Sequence, residues 1–200
     1  MDKSVVAGVD EVGRGALFGP VVAAAVILQA GMESVLESQG VRDSKSLTPL
    51  RREALVGAIA DAAIDVKIGY ASVRCIDRIN ILQASLLAMR RAVMVLAVAP
   101  TLCLVDGNQL IPELGLPQET VVKGDQSVIA IAAASIVAKV WRDRLIERLA
   151  SRYPGYDLSA NKGYGTYRHR QALERLGPTA LHRRSFKYGK ASQPKKLKKN

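Results

Sequence analysis

The sequence predicts an α/β protein in which a mixed central sheet is flanked by helices. Short segments rich in β-branched residues alternate along the chain with longer segments whose apolar residues recur at helical spacing, and this alternation is typical of an α/β domain. The length of 200 residues suits one domain, and the 48% of hydrophobic residues is enough for a substantial core.

The strand pattern is found in five segments. Residues 64–73 alternate between apolar and polar side chains, which predicts a strand with one buried face. The glycine-rich stretch 13–20 indicates a turn between the first two strands. The five predicted strands are residues 5–9, 21–28, 64–73, 101–105 and 119–122.

Helices are predicted from capping signals and apolar spacing. Thr48 followed by Pro49 is a typical helix start, and this helix should run to about residue 61. Residues 76–98 carry apolar side chains at helical spacing. We expect Asp125 to cap a long helix whose buried stripe is formed by Ile129, Ala132, Ile136 and Val140.

The composition changes after residue 150. Six of the nine aromatic residues lie beyond this point, among arginines and lysines. We therefore divide the chain into a core over residues 1–150, a small basic helical C-terminal subdomain over 151–189, and a basic tail over 190–200 that we expect to be disordered.

The net charge of +11 is concentrated at one end of the chain. Residues 162–200 hold 12 Lys and Arg and one acid, which gives +11, and the 17 basic and 17 acidic residues before them cancel. A basic segment of this kind is typical of a protein that binds a polyanion. A tail that only increases solubility would have the same charge, so charge alone does not decide between the two.

Several classes of protein are excluded by composition. Cys75 and Cys103 lie 28 positions apart and fit buried thiols better than a disulfide, and two histidines are too few for a histidine-based zinc site. A metal would need oxygen ligands, which favours magnesium or manganese. The apolar run 21–28 is too short to span a bilayer, which takes about 20 residues, and the N-terminus lacks a signal-peptide layout. We expect a soluble cytoplasmic protein.

Four acids occur where predicted elements end. Asp10 and Glu11 follow the first strand, Asp106 follows the fourth, and Asp125 precedes the long helix. Functional groups gather at the carboxyl ends of strands in open α/β sheets. Carboxylates that converge repel one another unless a cation joins them, and two divalent cations can activate a water and stabilise the leaving oxygen of a phosphodiester.

Each acid also has an ordinary structural interpretation. An Asp after a strand is often a turn residue, and Asp125 could be only the N-cap of its helix. Asp43, Asp77 and Asp143 compete as candidates. Asp143 stands beside Arg142 on the long helix, where a local salt bridge is the simpler role.

Long motifs in this order along the chain resemble bacterial ribonuclease HII. The resemblance covers nearly all of residues 5–188. It departs at Ala16, where many relatives have Pro, at Phe18, where they have a small residue, and after Phe186, where the lysine-rich end does not align. The matching segments are Asp10-Glu11-Val12-Gly13-Arg14-Gly15 with Gly19-Pro20-Val21-Val22, Asp43-Ser44-Lys45, Val105-Asp106-Gly107-Asn108, Lys123-Gly124-Asp125, Ala132-Ala133-Ala134-Ser135, Tyr153-Pro154-Gly155-Tyr156, Lys162-Gly163-Tyr164-Gly165 and His182-Arg183-Arg184-Ser185-Phe186.

The resemblance implies a ribonuclease H-like fold and a two-metal site. Asp10, Glu11, Asp106 and Asp125 would bind two ions, Mg²⁺ or Mn²⁺, and be the catalytic residues. The residues 1–150 would then be a ribonuclease H-like catalytic core, and the residues 151–189 would contact nucleic acid.

The resemblance also implies which residues recognise the substrate. The Gly13-Arg14-Gly15 backbone and the Tyr164 side chain would sense the ribonucleotide, since its 2′-hydroxyl is the group that separates RNA from DNA. Tyr164 could instead be a core aromatic, although the flanking glycines favour a loop. Arg14, Lys45 and Arg184 could hold phosphates or could be solvated surface charges.

The expected function is an endoribonuclease, active as a monomer. By resemblance it hydrolyses the RNA strand of RNA–DNA hybrids and nicks DNA duplexes 5′ to an embedded ribonucleotide, leaving a 3′-hydroxyl and a 5′-phosphate, in the removal of misincorporated ribonucleotides and RNA primers. A non-catalytic nucleic-acid-binding module is one alternative, but it would not need four acids. Another metal nuclease of similar fold, such as a junction resolvase, would have no use for the Gly-Arg-Gly loop and Tyr164.

Overall fold

A mixed five-stranded sheet forms the centre of the computed structural model, which describes residues 5–42, 44 and 47–189. The strand order is β3-β2-β1-β4-β5, with β1 antiparallel to β2 and parallel to β4. The predicted mixed sheet is therefore confirmed. The strands are β1 (Val6–Val12), β2 (Val21–Leu28), β3 (Ala63–Ala71), β4 (Leu102–Asp106) and β5 (Gln118–Val121).

The first strand is longer than predicted. Residues Asp10 and Glu11 lie within β1, so the prediction that they follow its end is wrong. Pairing with β4 stops at Val9, but pairing with β2 continues, and Asp10 and Glu11 face Ala24 and Ala23 across the antiparallel ladder. The neighbouring strand thus keeps the chain extended beyond the apolar residues.

Helices cover both faces of the sheet. The predicted cap at Thr48 is confirmed, since its hydroxyl accepts a hydrogen bond from the Arg51 amide. The short α1 was not predicted, because its seven residues bury only Leu36. The helices are α1 (Met32–Ser38), α2 (Pro49–Ala62), α3 (Val73–Met94), α4 (Gly124–Ser127), α5 (Ile129–Ala150), α6 (Leu158–Asn161) and α7 (Tyr167–Leu176).

Asp125 does not cap the long helix. It lies in α4, and Val128 separates α4 from α5 with an extended backbone (φ −125°, ψ 115°). Val128 is the N-cap residue of α5 and makes no side-chain cap. The prediction that Asp125 is the N-cap of this helix is wrong, and a cap does not explain its burial.

Two apolar layers sandwich the sheet. One face packs on α3, and the other packs on α2 and on the alanine-rich first half of α5. Gly8 in β1 is required for this packing, because an added Cβ would lie 2.2 Å from the carbonyl carbon of Ala130 in α5. The close contact places α5 directly against the strand that carries Asp10 and Glu11.

The C-terminal helices pack on the turn that follows β1. Leu17 and Phe18 from this turn share an apolar cluster with residues of α5, α6 and α7. Phe18, where the resemblance departs, is fully buried with its ring 5.4 Å from that of Tyr153 and 5.0 Å from that of His182. The predicted division at residue 150 stays a prediction, and the tail 190–200 lies outside the described residues.

No helix in the described part of the chain is long and apolar enough to cross a membrane.

Candidate active site

Asp10 is a buried carboxylate in the middle of the sheet, with only 5% of its surface exposed. Its Oδ1 accepts a hydrogen bond from the Glu11 amide at 2.6 Å. Burial raises its pKa well above the usual value, the charges of Glu11 and Asp106 raise it too, and a hydrogen bond from Ser135 of α5 opposes them. The protein without metal therefore resists ionisation of this side chain.

Glu11 and Asp106 form the second part of the acidic group. Burial raises the pKa of Glu11, Arg14 lowers it, and the charge of Asp106 raises it. Asp106 is the last residue of β4, and its Oδ1 accepts a 2.8 Å hydrogen bond from the Gly124 amide of α4. Both carboxylates line a small cavity with Arg14 and Asn108. The parallel pairing of β1 with β4 brings these two carboxylates to the same end of the sheet.

Asp125 lies next to this group but on another cavity. It is buried, at 4% exposed, and it follows Gly124, whose amide holds Asp106. The cavity that it lines also contains Glu37 and Arg42. The structure thus brings Asp10, Glu11 and Asp106 into electrostatic contact and places Asp125 on the adjoining helix.

The donor set fits a hard divalent cation. The groups at the site are carboxylate oxygens. Burial, and then the charges of Glu11 and Asp106, raise the pKa of Asp10, and a bound cation would favour its ionised form. Across residues 5–42, 44 and 47–189, no three His, Cys, Asp or Glu side chains form a ready-made metal cage.

The competing acids have structural partners. Asp143 pairs with Lys139 one turn earlier on α5 at 2.8 Å, so the predicted local salt bridge is present, although Arg142 is not the partner. Asp77 accepts hydrogen bonds from the amides of Arg184 and Ser185 at 3.1 and 2.9 Å. Asp43 lies outside the described residues.

The Gly-Arg-Gly loop borders the acids. Gly13 has a φ of +90°, and an added Cβ would lie 2.2 Å from Nε of Arg142. Arg14 is exposed and pairs with Glu11 at 3.1 Å, so its side chain faces the acidic group. Gly15 is exposed and has nothing within 4 Å of the position where a Cβ would be, which leaves room for a ligand beside its backbone.

Tyr164 lies beside this loop. Its backbone forms an isolated antiparallel bridge with Ala16, so the two motifs that the resemblance joins are in contact. Tyr164 is half-buried, and Lys139 Nζ and Arg142 Cζ lie 5.7 and 5.4 Å from the ring centroid. Neither sequence interpretation, a core aromatic or an exposed loop residue, describes this position fully.

The other two expected phosphate-binding residues are Arg184 and Lys45. Arg184 is exposed, and its backbone is held by Asp77 at the edge of the C-terminal segment. Lys45 lies outside the described residues. Its neighbour Ser44 is buried and shares a 2.9 Å hydrogen bond with Ser135, the serine that contacts Asp10.

Sequence reasoning missed four polar residues that support the site. Ser135 directly follows three consecutive alanines on an apolar helix, which was a usable signal, but nothing local marks the others. A buried arginine or histidine is recognised only from the contacts that it makes in the folded chain. The missed residues are Ser135, Arg142, His169 and Arg183.

The two histidines form a buried pair behind Tyr164. The Thr179 amide donates to His182 Nδ1, so His182 carries its proton on Nε2, 3.1 Å from His169 Nε2. His169 then donates from Nδ1 to the Tyr164 carbonyl at 2.9 Å. This chain of hydrogen bonds requires both rings to be neutral. Burial and the neighbouring His169 lower the pKa of His182 to about 4.

Acid should therefore destabilise the protein through this pair. The pKa of His182 falls from 6.5 to about 4 on folding, so the unfolded chain binds the proton first and stability is lost as the pH drops below 6.5. Between pH 7 and pH 5, His182 should account for about 2 kcal/mol of lost unfolding free energy. Urea unfolding of wild type and His182→Gln at both pH values measures this, and equal losses in the two proteins would contradict it.

Comparison with known proteins identifies the family. The sequence model of the family "Ribonuclease HII" matches residues 7–188. The chain belongs to the ribonuclease HII family. Two curated ribonuclease HII proteins are similar over most of their length: that of Acaryochloris marina is 66% identical over 90% of this chain and 91% of its own, and that of Trichodesmium erythraeum is 63% identical over 90% and 85%.

Solved structures agree with this placement. The ribonuclease HII of Archaeoglobus fulgidus, in a structure of its complex with PCNA, superposes with a TM-score of 0.78 at 29% identity, covering 92% of this chain and 95% of that chain. Ribonuclease H2 from Pyrococcus horikoshii gives a TM-score of 0.75 at 29% identity, covering 92% and 94%. The expected ribonuclease H-like fold is confirmed. As a ribonuclease HII, the chain is a metal-dependent endoribonuclease that cleaves RNA in RNA–DNA hybrids.

Proposed function

We propose that this ribonuclease HII nicks a DNA duplex on the 5′ side of a single embedded ribonucleotide, leaving a 3′-hydroxyl and a 5′-phosphate. The observation that carries the proposal is that two sets of residues lie in contact. One set is the acids of β1 and β4, and the other is the two loops that contain Gly15 and Tyr164 and that pair with each other. The acids could hold the metal ions that cleave one phosphodiester, and the two loops could recognise the 2′-hydroxyl beside it. This activity serves the removal of misincorporated ribonucleotides and RNA primers.

Asp10, Glu11, Asp106 and Asp125 would hold two divalent ions, Mg²⁺ or Mn²⁺. When bound, such ions activate a water and stabilise the leaving oxygen. The protein contributes fixed carboxylates: Asp106 is oriented by the Gly124 amide, and Asp10 is oriented by Ser135 and the Glu11 amide. Burial excludes water from Asp10, so its affinity for a cation competes with its tendency to keep a proton.

Recognition of the ribonucleotide is assigned to the backbone of Gly13 and Gly15 and to Tyr164. The open space beside Gly15 admits a sugar, and the half-buried Tyr164 ring offers a stacking face with a hydroxyl. Arg14, Lys45 and Arg184 are proposed phosphate contacts, and the Arg14 side chain faces the acidic group through its ion pair with Glu11.

The substrate and setting follow from the same features. We infer that the partners are RNA–DNA hybrids and ribonucleotide-containing DNA duplexes, and that the basic residues 162–200 add non-specific affinity for both. The two free, buried cysteines fit a reducing compartment, which supports the cytoplasm. We also propose a monomer, which light scattering at micromolar concentration would test.

One assay tests the proposed activity. A duplex with one ribonucleotide, labelled at the 5′ end, is incubated with Mg²⁺ or Mn²⁺, and an all-DNA duplex of the same sequence is the control. We expect a single cut 5′ to the ribonucleotide and none in the control, although both duplexes bind through their phosphates. Cleavage of long RNA–DNA hybrids with no cut at a lone ribonucleotide, with either metal, would refute the proposal.

A further inference from the structure

Two buried arginines lie beneath the loops that border the active site. Arg142 and Arg183 are both 0% exposed. Arg142 donates to the carbonyls of Pro20, Lys162 and Phe18 at 3.0, 3.0 and 2.9 Å. Arg183 donates to the carbonyls of Gly19 and Arg14 at 3.0 and 2.7 Å. Five main-chain carbonyls are thus held by two side chains.

These carbonyls belong to two segments that are distant in sequence. We call residues 13–20 the glycine loop and residues 162–166 the tyrosine loop. Arg142 bonds to both loops, and its guanidinium lies 5.4 Å from the centroid of the Tyr164 ring. Its side chain also occupies the space where a Cβ on Gly13 would be. The Arg183 bond to Arg14 fixes the peptide group that leads into Gly15.

This arrangement is electrostatically unfavourable in itself. Burial and the charge of Arg142 lower the pKa of Arg183 to about 9. Within the described residues, the Arg183 Nη2 is buried without a hydrogen-bond partner. Apolar side chains of similar volume could fill the same space without the cost of desolvating two like charges. Even buried ion pairs can often be replaced by apolar residues without loss of stability. What they could not do is fix five carbonyl directions at once.

We propose that Arg142 and Arg183 are positioning residues for ribonucleotide recognition. They hold the glycine loop and the tyrosine loop in one arrangement, so that the Gly15 backbone and the Tyr164 ring meet the same sugar beside the acids. Neither arginine contacts the substrate. The inference rests on the proposed function, because the residues that the two arginines position are those proposed to recognise the 2′-hydroxyl.

Arg142→Lys and Arg183→Lys test this proposal. Lysine keeps the charge but replaces the planar fork that bonds several carbonyls with a single point donor. With enzyme in saturating excess over a single-ribonucleotide duplex, the single-turnover rate constant does not depend on the folded fraction. We expect this constant to fall by about tenfold or more in each variant, and the Kd for an all-DNA duplex to change by less than about threefold.

A double-variant comparison separates positioning from general stability. If the arginines act through Tyr164, adding Arg142→Lys to Tyr164→Ala should slow cleavage by less than about threefold. Arg91→Lys is the matched control, because Arg91 donates to the Tyr70 carbonyl at 2.8 Å on the edge strand β3 and should leave the rate unchanged.

The outcomes distinguish the two proposals. A Tyr164→Ala variant with wild-type rates would overturn the recognition role of Tyr164. Slow cleavage by Tyr164→Ala, together with wild-type rates in both arginine variants, would overturn only the positioning role. Fully additive losses in the double variant would also overturn it, since they show that Arg142 acts independently of Tyr164.

Hydrogen exchange on the wild-type protein covers the case in which the lysine variants do not fold. The amides of Leu17 and Phe18 donate to Gly163, and the amide of Gly19 donates to Leu181. If the arginines hold these loops as one unit, all three amides should exchange as slowly as those in the middle of α5. Fast exchange of these amides, with α5 protected, would overturn the proposal.

Discussion

Asp10→Asn and Asp106→Asn should each reduce cleavage by about 1,000-fold or more. Loss of one preorganised charge-stabilising group at a reacting centre costs about 10²–10³ in rate, and these carboxylates are also proposed metal ligands. Single-turnover cleavage of the single-ribonucleotide duplex at saturating Mg²⁺ measures the effect. Asp143→Asn is the control, because Asp143 is paired with Lys139 and should matter much less. Near-full activity in either variant would remove that residue from the metal site.

The same Asp10→Asn change should stabilise the metal-free protein. Folding raises the pKa of Asp10, so the native state favours the protonated carboxyl and loses stability as the pH rises above the unfolded value. Asparagine removes that loss at neutral pH. A gain of about 1 kcal/mol would appear as a Tm increase of about 2–4 °C for a chain of this size. Thermal unfolding in a chelator at pH 7 and pH 4 should show the larger gain at pH 7, and a lower Tm in the variant at pH 7 would contradict this account.

Tyr164→Ala should slow cleavage at a single ribonucleotide by about 10–100-fold. Tyr164 is proposed to position the sugar at the reacting phosphodiester, and each loss of about 1.4 kcal/mol of transition-state stabilisation lowers the rate about tenfold. Most of the affinity comes from phosphate contacts, so the Kd for the duplex should change by less than about threefold. Tyr164→Phe separates the hydroxyl from the ring, and an intermediate rate would show that both contribute.

Tyr167→Ala is the matched control for this prediction. Tyr167 is the first residue of α7, and its hydroxyl accepts a hydrogen bond from Gln171 at 2.8 Å on the same helix. Its loss should leave the cleavage rate at the wild-type value. If Tyr164→Ala weakens binding as much as it slows cleavage, Tyr164 is a general duplex contact and does not sense the 2′-hydroxyl.

The sequence predicted the elements whose signals are local. The strand 21–28 and the Thr48 cap were located correctly, because an apolar run and a hydroxyl before proline act within a few residues. The ends of β1 and α5 were misplaced. Pairing with β2 extends β1 through Asp10 and Glu11. The extended backbone of Val128 separates the helix that contains Asp125 from α5. Such effects depend on tertiary contacts.

The candidate site, like the fold, was predictable only where the signals are local. The sequence predicted the two strands that carry Asp10, Glu11 and Asp106, although it ended β1 too early. The parallel pairing of these strands brings the three side chains together. The supports behind them were not predictable. Arg142 donates a hydrogen bond to the carbonyl of Pro20, which lies 122 residues earlier in the chain. The sequence around either residue does not indicate this hydrogen bond. The family resemblance named Tyr164 but did not reveal that two cations lie close to its ring.

The glycine loop is completed by residues that come much later in the chain. Its amides and carbonyls bond to Gly163, Leu181 and Arg183, whereas the loop itself lies within the first twenty residues. The contacts that shape the loop beside Asp10 and Glu11 therefore close a very long segment of chain. Contacts between residues so distant in sequence are slow to form, so the loop should take its shape later in folding than the local pairing of β1 with β2.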